Sequence, residues 1–438
     1  MKTIPRFSVS LRLFFHVYEG MWRLGMPWLR HHPRLAQGYP ERTLESLPGP
    51  ADLWIQSASV GESYLSWELL KRLQPAPPIR VLTTATTQQG IEVLHQAKEA
   101  IQSHNPMVSM QVRYFPLDSP SRMARALDEI RPRLMVLVET ELWPGLLFAL
   151  KNRAIPAMIV NGRMSVKSVQ GYQRWPELWD PIGPGRILAI SETDAVRFRS
   201  VFPKAAVSVM DNIKFDRLGI EESTPSNRFH EWFPSGMPFL VLGSVRREEE
   251  DVVENLILRL RSRHPEAVIG LFPRHLHRVN AWEKRLASRS LPHMRRSRLT
   301  SEVLSGAVVL WDRMGELNAA YGRADAVFVG GSLAPAGGQN FLEPLMCGIR
   351  PVIGPSWDNF KWVGTDLFAQ GLVRIGRNWE KVADLLSEDL ADPPSHEAVR
   401  NHTGRYLRTR QGGARQACQA IESVLNGFSH CSVLHYPR

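Results

Sequence analysis

Apolar and polar positions alternate along the chain in two successive blocks. From Leu53 to about Met210, the short apolar runs LWIQSA, IRVLTTA, VRYF, LMVLV, PAMIV and RILAI are separated by segments long enough for helices. Short apolar strands interleaved with helices predict a parallel sheet covered by helices on both faces. The segment between about Asp216 and Met237 is polar, with Glu221-Glu222-Ser223-Thr224-Pro225 near its start, and reads as an interdomain connection. A second series follows: FLVLG, AVIGLF, AVVLW, AVFVG and PVIG. The pattern therefore predicts two doubly wound halves in tandem, followed from about Trp379 by a charged, mainly helical end. The expected boundaries are 1–35 for an N-terminal helix and basic linker, 36–220 for a first α/β domain, and 221–438 for a second with its C-terminal helices.

The N-terminal stretch has its own periodicity. Pro5 is placed to start a helix, and Gly25 with Pro27 to end it. On a helical wheel Phe7, Leu11, Phe14, Phe15, Tyr18 and Trp22 share one face, and Val9, Leu13, Val17, Met21 and Leu24 widen it. Arg12, His16, Glu19 and Arg23 form a narrow polar stripe, and Arg30, His31, His32 and Arg34 follow. A wide apolar face with aromatic residues and basic flanks is the pattern of a helix lying in a membrane interface; the same pattern would also serve a helix packed on its own domain or on a partner subunit. No small-residue cleavage site follows, so the stretch does not read as a signal peptide.

Composition changes this picture little. Of 438 residues 43% are apolar and 22% charged, as in globular proteins. The net charge of +11 favours anionic partners without choosing among them. The basic residues are spread along the chain rather than clustered with aromatic ones, which argues against nucleic acid. Cys347, Cys418 and Cys431 have neither metal-ligand spacing nor a disulfide framework, and Cys347 reads as a packing residue.

In open parallel sheets, ligands bind beyond the C-terminal ends of the strands. In the first half those ends carry Ser59-Val60-Gly61-Glu62-Ser63, Thr86-Thr87-Gln88-Gln89-Gly90, Glu139-Thr140-Glu141-Leu142-Trp143-Pro144 and Asn161-Gly162-Arg163-Met164-Ser165. One carboxylate at a helix start is an ordinary dipole contact. Glu62, Glu139 and Glu141 on neighbouring strand ends are a chemical cluster. Lys214, in Asn212-Ile213-Lys214-Phe215-Asp216, lies near the connection. In the second half Pro273-Arg274-His275 and Met314-Gly315-Glu316-Leu317 follow strands, and Glu316 alone reads as a helix cap. The stretch Asp325–Pro355 reads as strand, glycine loop, helix, strand. Gly330-Gly331-Ser332 and Gly337-Gly338 precede a helix opened by Gln339-Asn340 and carrying Glu343. Free N–H groups at such a loop suit a phosphate, although glycine-rich turns also occur with no ligand.

Taken together, these pieces resemble the 3-deoxy-D-manno-octulosonic acid (Kdo) transferase family. SVGE at 59–62, ETELWP at 139–144, NGRMS at 161–165, NIKFD at 212–216, PRH at 273–275, MGEL at 314–317 and GGQNFLEP at 337–344 occur in family order. The resemblance spans nearly the whole chain, from Tyr39-Pro40-Glu41-Arg42 to GPSWDNF at 354–360. It implies an α/β fold of the GT-B glycosyltransferase type, with two facing doubly wound domains, a cleft between them and an N-terminal membrane-anchoring helix. It implies inverting transfer of Kdo from CMP-Kdo to a lipid A precursor, in lipopolysaccharide biosynthesis, at the cytoplasmic face of the inner membrane. It implies no metal and no cofactor beyond the donor substrate, and no nucleic-acid partner.

The resemblance further implies Glu62 as general base, assisted by Glu139 and Lys214. It places CMP on Pro273, Arg274, Met314, Gly315, Glu316, Asn340, Phe341, Leu342 and Glu343. Ser59, Gly61, Glu141, Arg163, Gly331, Ser332, Gly337, Gly338 and Gln339 are further candidates for donor or acceptor contact. The chain departs from the family pattern at Gln339, where a histidine is usual, and in the segments 244–250 and 87–90. Two other classes are compatible with the architecture alone: a GT-B transferase or epimerase using another nucleotide sugar, and a non-catalytic basic protein of a membrane surface or nucleic acid.

Overall fold

A computed structural model describes residues 7–29, 32–219, 227–233 and 236–429. The chain forms two compact units, Met1–Arg217 with Arg410–Arg438, and Leu218–Thr409.

The first unit is built on seven parallel strands: β1 (Leu53–Ser57), β2 (Ile79–Ala85), β3 (Val108–Tyr114), β4 (Leu134–Val138), β5 (Ala157–Gly162), β6 (Arg186–Ala189) and β7 (Ala206–Val209). Their order is β3-β2-β1-β4-β5-β6-β7. Side chains alternate between the two faces of a strand, so both faces of β1 must be covered. Leu53 and Ile55 join a core with Leu65, Leu69, Ile91 and Leu94 from flanking helices. Trp54 points into the opposite core with Leu127, Leu146, Leu147 and Phe198.

The second unit repeats the plan with β8 (Phe239–Val245), β9 (Val268–Pro273), β10 (His293–Arg295), β11 (Val308–Leu310), β12 (Ala326–Val329), β13 (Pro351–Ile353) and β14 (Arg374–Ile375), all parallel, in the order β10-β11-β9-β8-β12-β13-β14. In both units the first strand is internal and later strands are added on both sides of it, which puts a topological switch point beside it. Three strands carry no legible apolar run: β7, β10 and β14. All three are sheet edges, half-buried or exposed, so nothing selects an apolar sequence there.

The boundaries differ from the expected ones at the end of the chain. The helix Gly413–Ser429 was expected in the second domain but belongs to the first unit. Its Ala414, Ala417, Cys418, Ile421 and Leu425 form an apolar stripe at helical spacing and complete the core around Leu65 and Leu69. The segment Glu221–Pro225, read as the connection, lies outside the described residues, as do Pro5, Arg30, His31 and Cys431. Cys347 and Cys418 are buried and in no disulfide, their thiols donating to the carbonyls of Asn318 and Leu69, so Cys347 is a packing residue.

The N-terminal helix runs Val9–Leu29 and continues through Gly25 and Pro27, past its expected end. Pro27 removes one N–H from the ladder, and the helix ends two residues after it. Only one side of the wide apolar face is buried. Phe7, Leu11 and Phe15 pack on the unit, Phe15 stacked on Phe148 at 3.9 Å. Tyr18 donates to Asp118 at 3.1 Å, and Glu19 accepts from the N–H (3.0 Å) and hydroxyl (2.6 Å) of Ser121. Val9, Leu13, Val17, Met21, Leu24 and Trp28, spaced by three or four residues, remain exposed, Leu13 at 63% and Trp28 at 84%. Among the described residues no helix is long and apolar enough to cross a membrane.

Candidate functional site

Glu62 stands in the first turn of the helix Val60–Arg72, just beyond β1. Ser59 caps that helix, its hydroxyl oxygen accepting from the Glu62 N–H at 3.4 Å. The Glu62 carboxylate turns back to accept from the Ala58 N–H at 2.5 Å and the Ser59 hydroxyl at 3.0 Å. Burial raises its carboxyl above the ordinary range; the Ala58 N–H works against the rise, the Glu139 charge adds to it, and Ser59 and Lys214 oppose it.

Glu139 follows β4 with φ 59°, a left-handed conformation costing a non-glycine residue roughly 1–3 kcal/mol. Its N–H donates to Val160 at 2.9 Å, and its carboxylate pairs with the Lys214 ammonium at 2.7 Å. Glu141 accepts from the Trp143 indole N–H at 2.8 Å. Its carboxyl is pushed up to about 7 by burial and then by the charge of Glu62, the Trp143 bond opposing, with Glu139 adding further. The structure thus brings together the three carboxylates and the lysine that the sequence singled out. Burial, with the charge of its neighbours, leaves Glu141 ready to hold a proton near neutral pH.

Lys214 is placed by residues absent from the predicted site. It sits on the single turn Ile213–Asp216. Asn161, buried at a bulge of β5 with φ 55°, accepts from the Ile213 N–H at 2.8 Å, and Asn212 accepts from the Lys214 N–H at 3.0 Å. Asp216 accepts from the N–H groups of Gly412 and Ala414, each at 2.7 Å, and so anchors the turn to the returning C-terminal helix. NGRMS and NIKFD were legible as motifs; that the Asn161 side chain starts the lysine's turn was not.

In the second unit, Pro273, Arg274, Met314 and Gly315 line one small pocket with Ser244 and Trp311. Arg274 is exposed, and its charge acts on Glu343, whose carboxyl is raised by burial, the Asn340 bond and Arg274 opposing. Asn340 donates to Glu343 at 2.9 Å and accepts from the Leu342 N–H at 3.2 Å. Glu316 does not cap its helix with its side chain. It accepts from Arg296 at 2.8 Å and Trp311 at 2.9 Å. Phe341 and Leu342 are buried.

The glycine loop also departs from expectation. The helix after it is only Leu342–Met346, and the loop spends its N–H groups internally. Gly331 and Leu333 donate to Glu249, Gly337 to the Ser356 hydroxyl oxygen, Gly338 to Gly331, and Gln339 to Gly330. The Ser332 hydroxyl donates to Val329 and accepts from the Gly354 N–H. Gln339 lies against Gly331. Glu249 is the organiser that sequence reasoning missed. It is buried, and a Cβ on Gly330 would meet its Oε1 at 2.6 Å, so only glycine admits it there. It lies within the 244–250 segment, whose departure from the family pattern was the only signal. Of the remaining candidates, Gly61 and Arg163 are exposed, and the Arg163 carbonyl accepts from the Thr140 hydroxyl.

Two doubly wound Rossmann-like units with strand-end sites define the GT-B class. The UDP-N-acetylglucosamine 2-epimerase fold is similar at a TM-score of 0.55, with 12% identity over 89% of this chain and 99% of that one. The Neisseria meningitidis UDP-GlcNAc 2-epimerase gives 0.53, with 13% identity over 86% and 99%. Residues 30–217 match the family model described as 3-deoxy-D-manno-octulosonic-acid transferase (kdotransferase). The chain is 28% identical to the 3-deoxy-D-manno-octulosonic acid transferase of Haemophilus influenzae over 90% of its own length and 92% of that protein's. It is 29% identical to the Bordetella pertussis enzyme of the same name over 86% and 88%. The chain is thus similar to 3-deoxy-D-manno-octulosonic acid transferases through most of its length.

Proposed function

We propose that this chain is an inverting glycosyltransferase moving Kdo from CMP-Kdo to a lipid A precursor in lipopolysaccharide biosynthesis. The observation that carries the reading is the cluster of Glu62, Glu139, Glu141 and Lys214 in a chain with this similarity. A sugar hydroxyl is a weak nucleophile, and a carboxylate within reach takes its proton as the new bond forms. In the proposed step the acceptor oxygen attacks the anomeric carbon of Kdo. The bond to the CMP phosphate breaks, its electron pair leaves on the phosphate oxygen, and the hydroxyl proton passes to Glu62. The Ser59 hydroxyl on Glu62 can rotate away to admit the substrate. Lys214 supplies positive charge to the departing phosphate or to the Kdo carboxylate, with Glu139 holding it in place. Arg274, with Asn340 and Glu343, receives the nucleotide.

The exposed stripe from Val9 to Trp28 supports contact with the inner-membrane surface at its cytoplasmic face. Each such side chain contributes about 2 kcal/mol when fully withdrawn from water. Mass spectrometry of a lipid A precursor incubated with CMP-Kdo tests the activity and counts the sugars added. An unchanged acceptor mass overturns the reading. Flotation with anionic vesicles tests the surface: Leu13→Glu with Met21→Glu should release the protein, and undiminished binding removes the helix from that role.

A further inference from the structure

A groove of about 990 Å³ opens within the first unit, at the upper end of the roughly 300–1,000 Å³ of small-molecule sites. Trp22 and Leu29 of the N-terminal helix, Leu35 and Ala36 after it, and Phe115 and Trp143 give it apolar walls. Its polar part is the loop Thr86–Gln89 together with Arg42.

Arg42 is the unusual element. It is 3% exposed, yet it forms no ion pair with a carboxylate among the described residues. Its Nε donates to the Gln37 carbonyl at 3.2 Å and its Nη2 to the Thr86 carbonyl at 2.7 Å. The guanidinium lies over the Tyr114 ring at 4.4 Å. Gly38 lets the chain pass that ring, since a Cβ there would sit 1.9 Å from it. Nη1 makes no hydrogen bond among the described residues and is not sealed from solvent. The charge of Glu41 acts on Arg42, but its oxygens accept from Arg113 and from the Tyr114 N–H; a guanidinium has five donors, and a buried one with no carboxylate bonded to it is costly. Asp118 also lines the groove, but its oxygens accept from the N–H groups of Gly145 and Leu146 and from the Tyr18 hydroxyl.

The groove is wired to the carboxylate cluster. Thr86, which holds Arg42, donates its hydroxyl to the Ala58 carbonyl, and the Ala58 N–H holds Glu62. Trp143, a wall of the groove, donates to Glu141. An occupant therefore lies against the same short segments that carry the proposed base, with its apolar part along the N-terminal helix.

We propose that this groove binds an acyl chain of the lipid acceptor and that Arg42 holds a phosphate oxygen of the same molecule. The proposal rests on the reading of the chain as a transferase to a lipid; it adds where and through which chemistry a phosphorylated, acylated sugar is recognised. The test measures transfer by the full chain, at saturating CMP-Kdo, to three acceptors: the acylated sugar bisphosphate, its dephosphorylated form and its deacylated form. Arg42→Gln should raise KM for the phosphorylated acceptors roughly tenfold to hundredfold, the span of one lost charge-assisted hydrogen bond, and leave the dephosphorylated form nearly unchanged. Ala36→Trp, which fills the groove from its rim, should raise KM for the acylated acceptors and spare the deacylated one. It keeps the test alive if Arg42→Gln does not fold. Equal effects on all three acceptors, or none, overturn the proposal. If the wild-type chain transfers nothing, the proposed reaction fails separately. Calorimetry of the acylated bisphosphate against wild type and Ala36→Trp then decides the groove alone, and equal affinity for both overturns it.

Discussion

The strand ends of the two units solve opposite problems with one topology. In the first, the side chains beyond β1 and β4 are left in tension: the lysine pairs with Glu139, and burial raises Glu62 and Glu141. In the second, the loop after β12 is at rest, its N–H groups satisfied by Glu249, Ser356 and its own carbonyls. A site that moves a proton needs groups whose charge state is undecided near the working pH. A site that holds a ligand needs a wall that does not rearrange. The difference teaches that the Rossmann-like strand end is neutral as to use, and that local satisfaction of polar groups decides between chemistry and scaffold.

That contrast can be broken by substitution. The largest expected effect is from Glu62→Gln, which should lower transfer by roughly 10²–10⁴-fold while CMP affinity and thermal stability hold. Retained turnover would move the base elsewhere in the cluster. Next comes Lys214→Met, expected to cost about 10²-fold. It also has a signed consequence for pH. Lys214 lowers the Glu62 pKa, so its removal lets that pKa rise, and the acid limb of kcat/KM in the residual activity should move to higher pH. A limb that stays put or moves lower would uncouple the two residues.

In the resting unit the expected effect is on stability. Glu249→Ala leaves the buried N–H of Gly331 and the half-buried ones of Arg246 and Leu333 without their acceptor and should cost about 3 kcal/mol in denaturant unfolding of the second unit. An unchanged midpoint would mean that the loop holds itself. Smallest is Arg274→Ala. Arg274 is exposed, and its loss should weaken CMP binding about tenfold by calorimetry with no change in unfolding. A loss of stability instead would make Arg274 part of the scaffold.

Much of both sites was legible. Glu62, Glu139, Glu141 and Lys214 stood out because polar residues at the ends of apolar runs have few structural reasons to gather. The glycine loop stood out for the same reason, but what its glycines come close to was not legible. Glycines show that the backbone comes close to something; they do not say that the neighbour is the protein's own Glu249. The apolar N-terminal helix was legible as a helix, whereas which half of its wide face is buried depended on Phe148, more than a hundred residues away.

By itself, the sequence determined the two parallel α/β units, the identity of the acidic cluster and the resemblance to Kdo transferases. These follow from local periodicity and from residues adjacent in the chain. The three edge strands, the return of the helix Gly413–Ser429 to the first unit, the pairing of Lys214 with Glu139, and the Arg42 groove were decided only by the tertiary structure. Each joins groups far apart in sequence, 75 residues in the case of Lys214 and Glu139 and close to 200 for Asp216 with Gly412 and Ala414. A hydrogen bond or ion pair is made within about 3 Å, and only the packing of whole elements fixes which distant groups come that close.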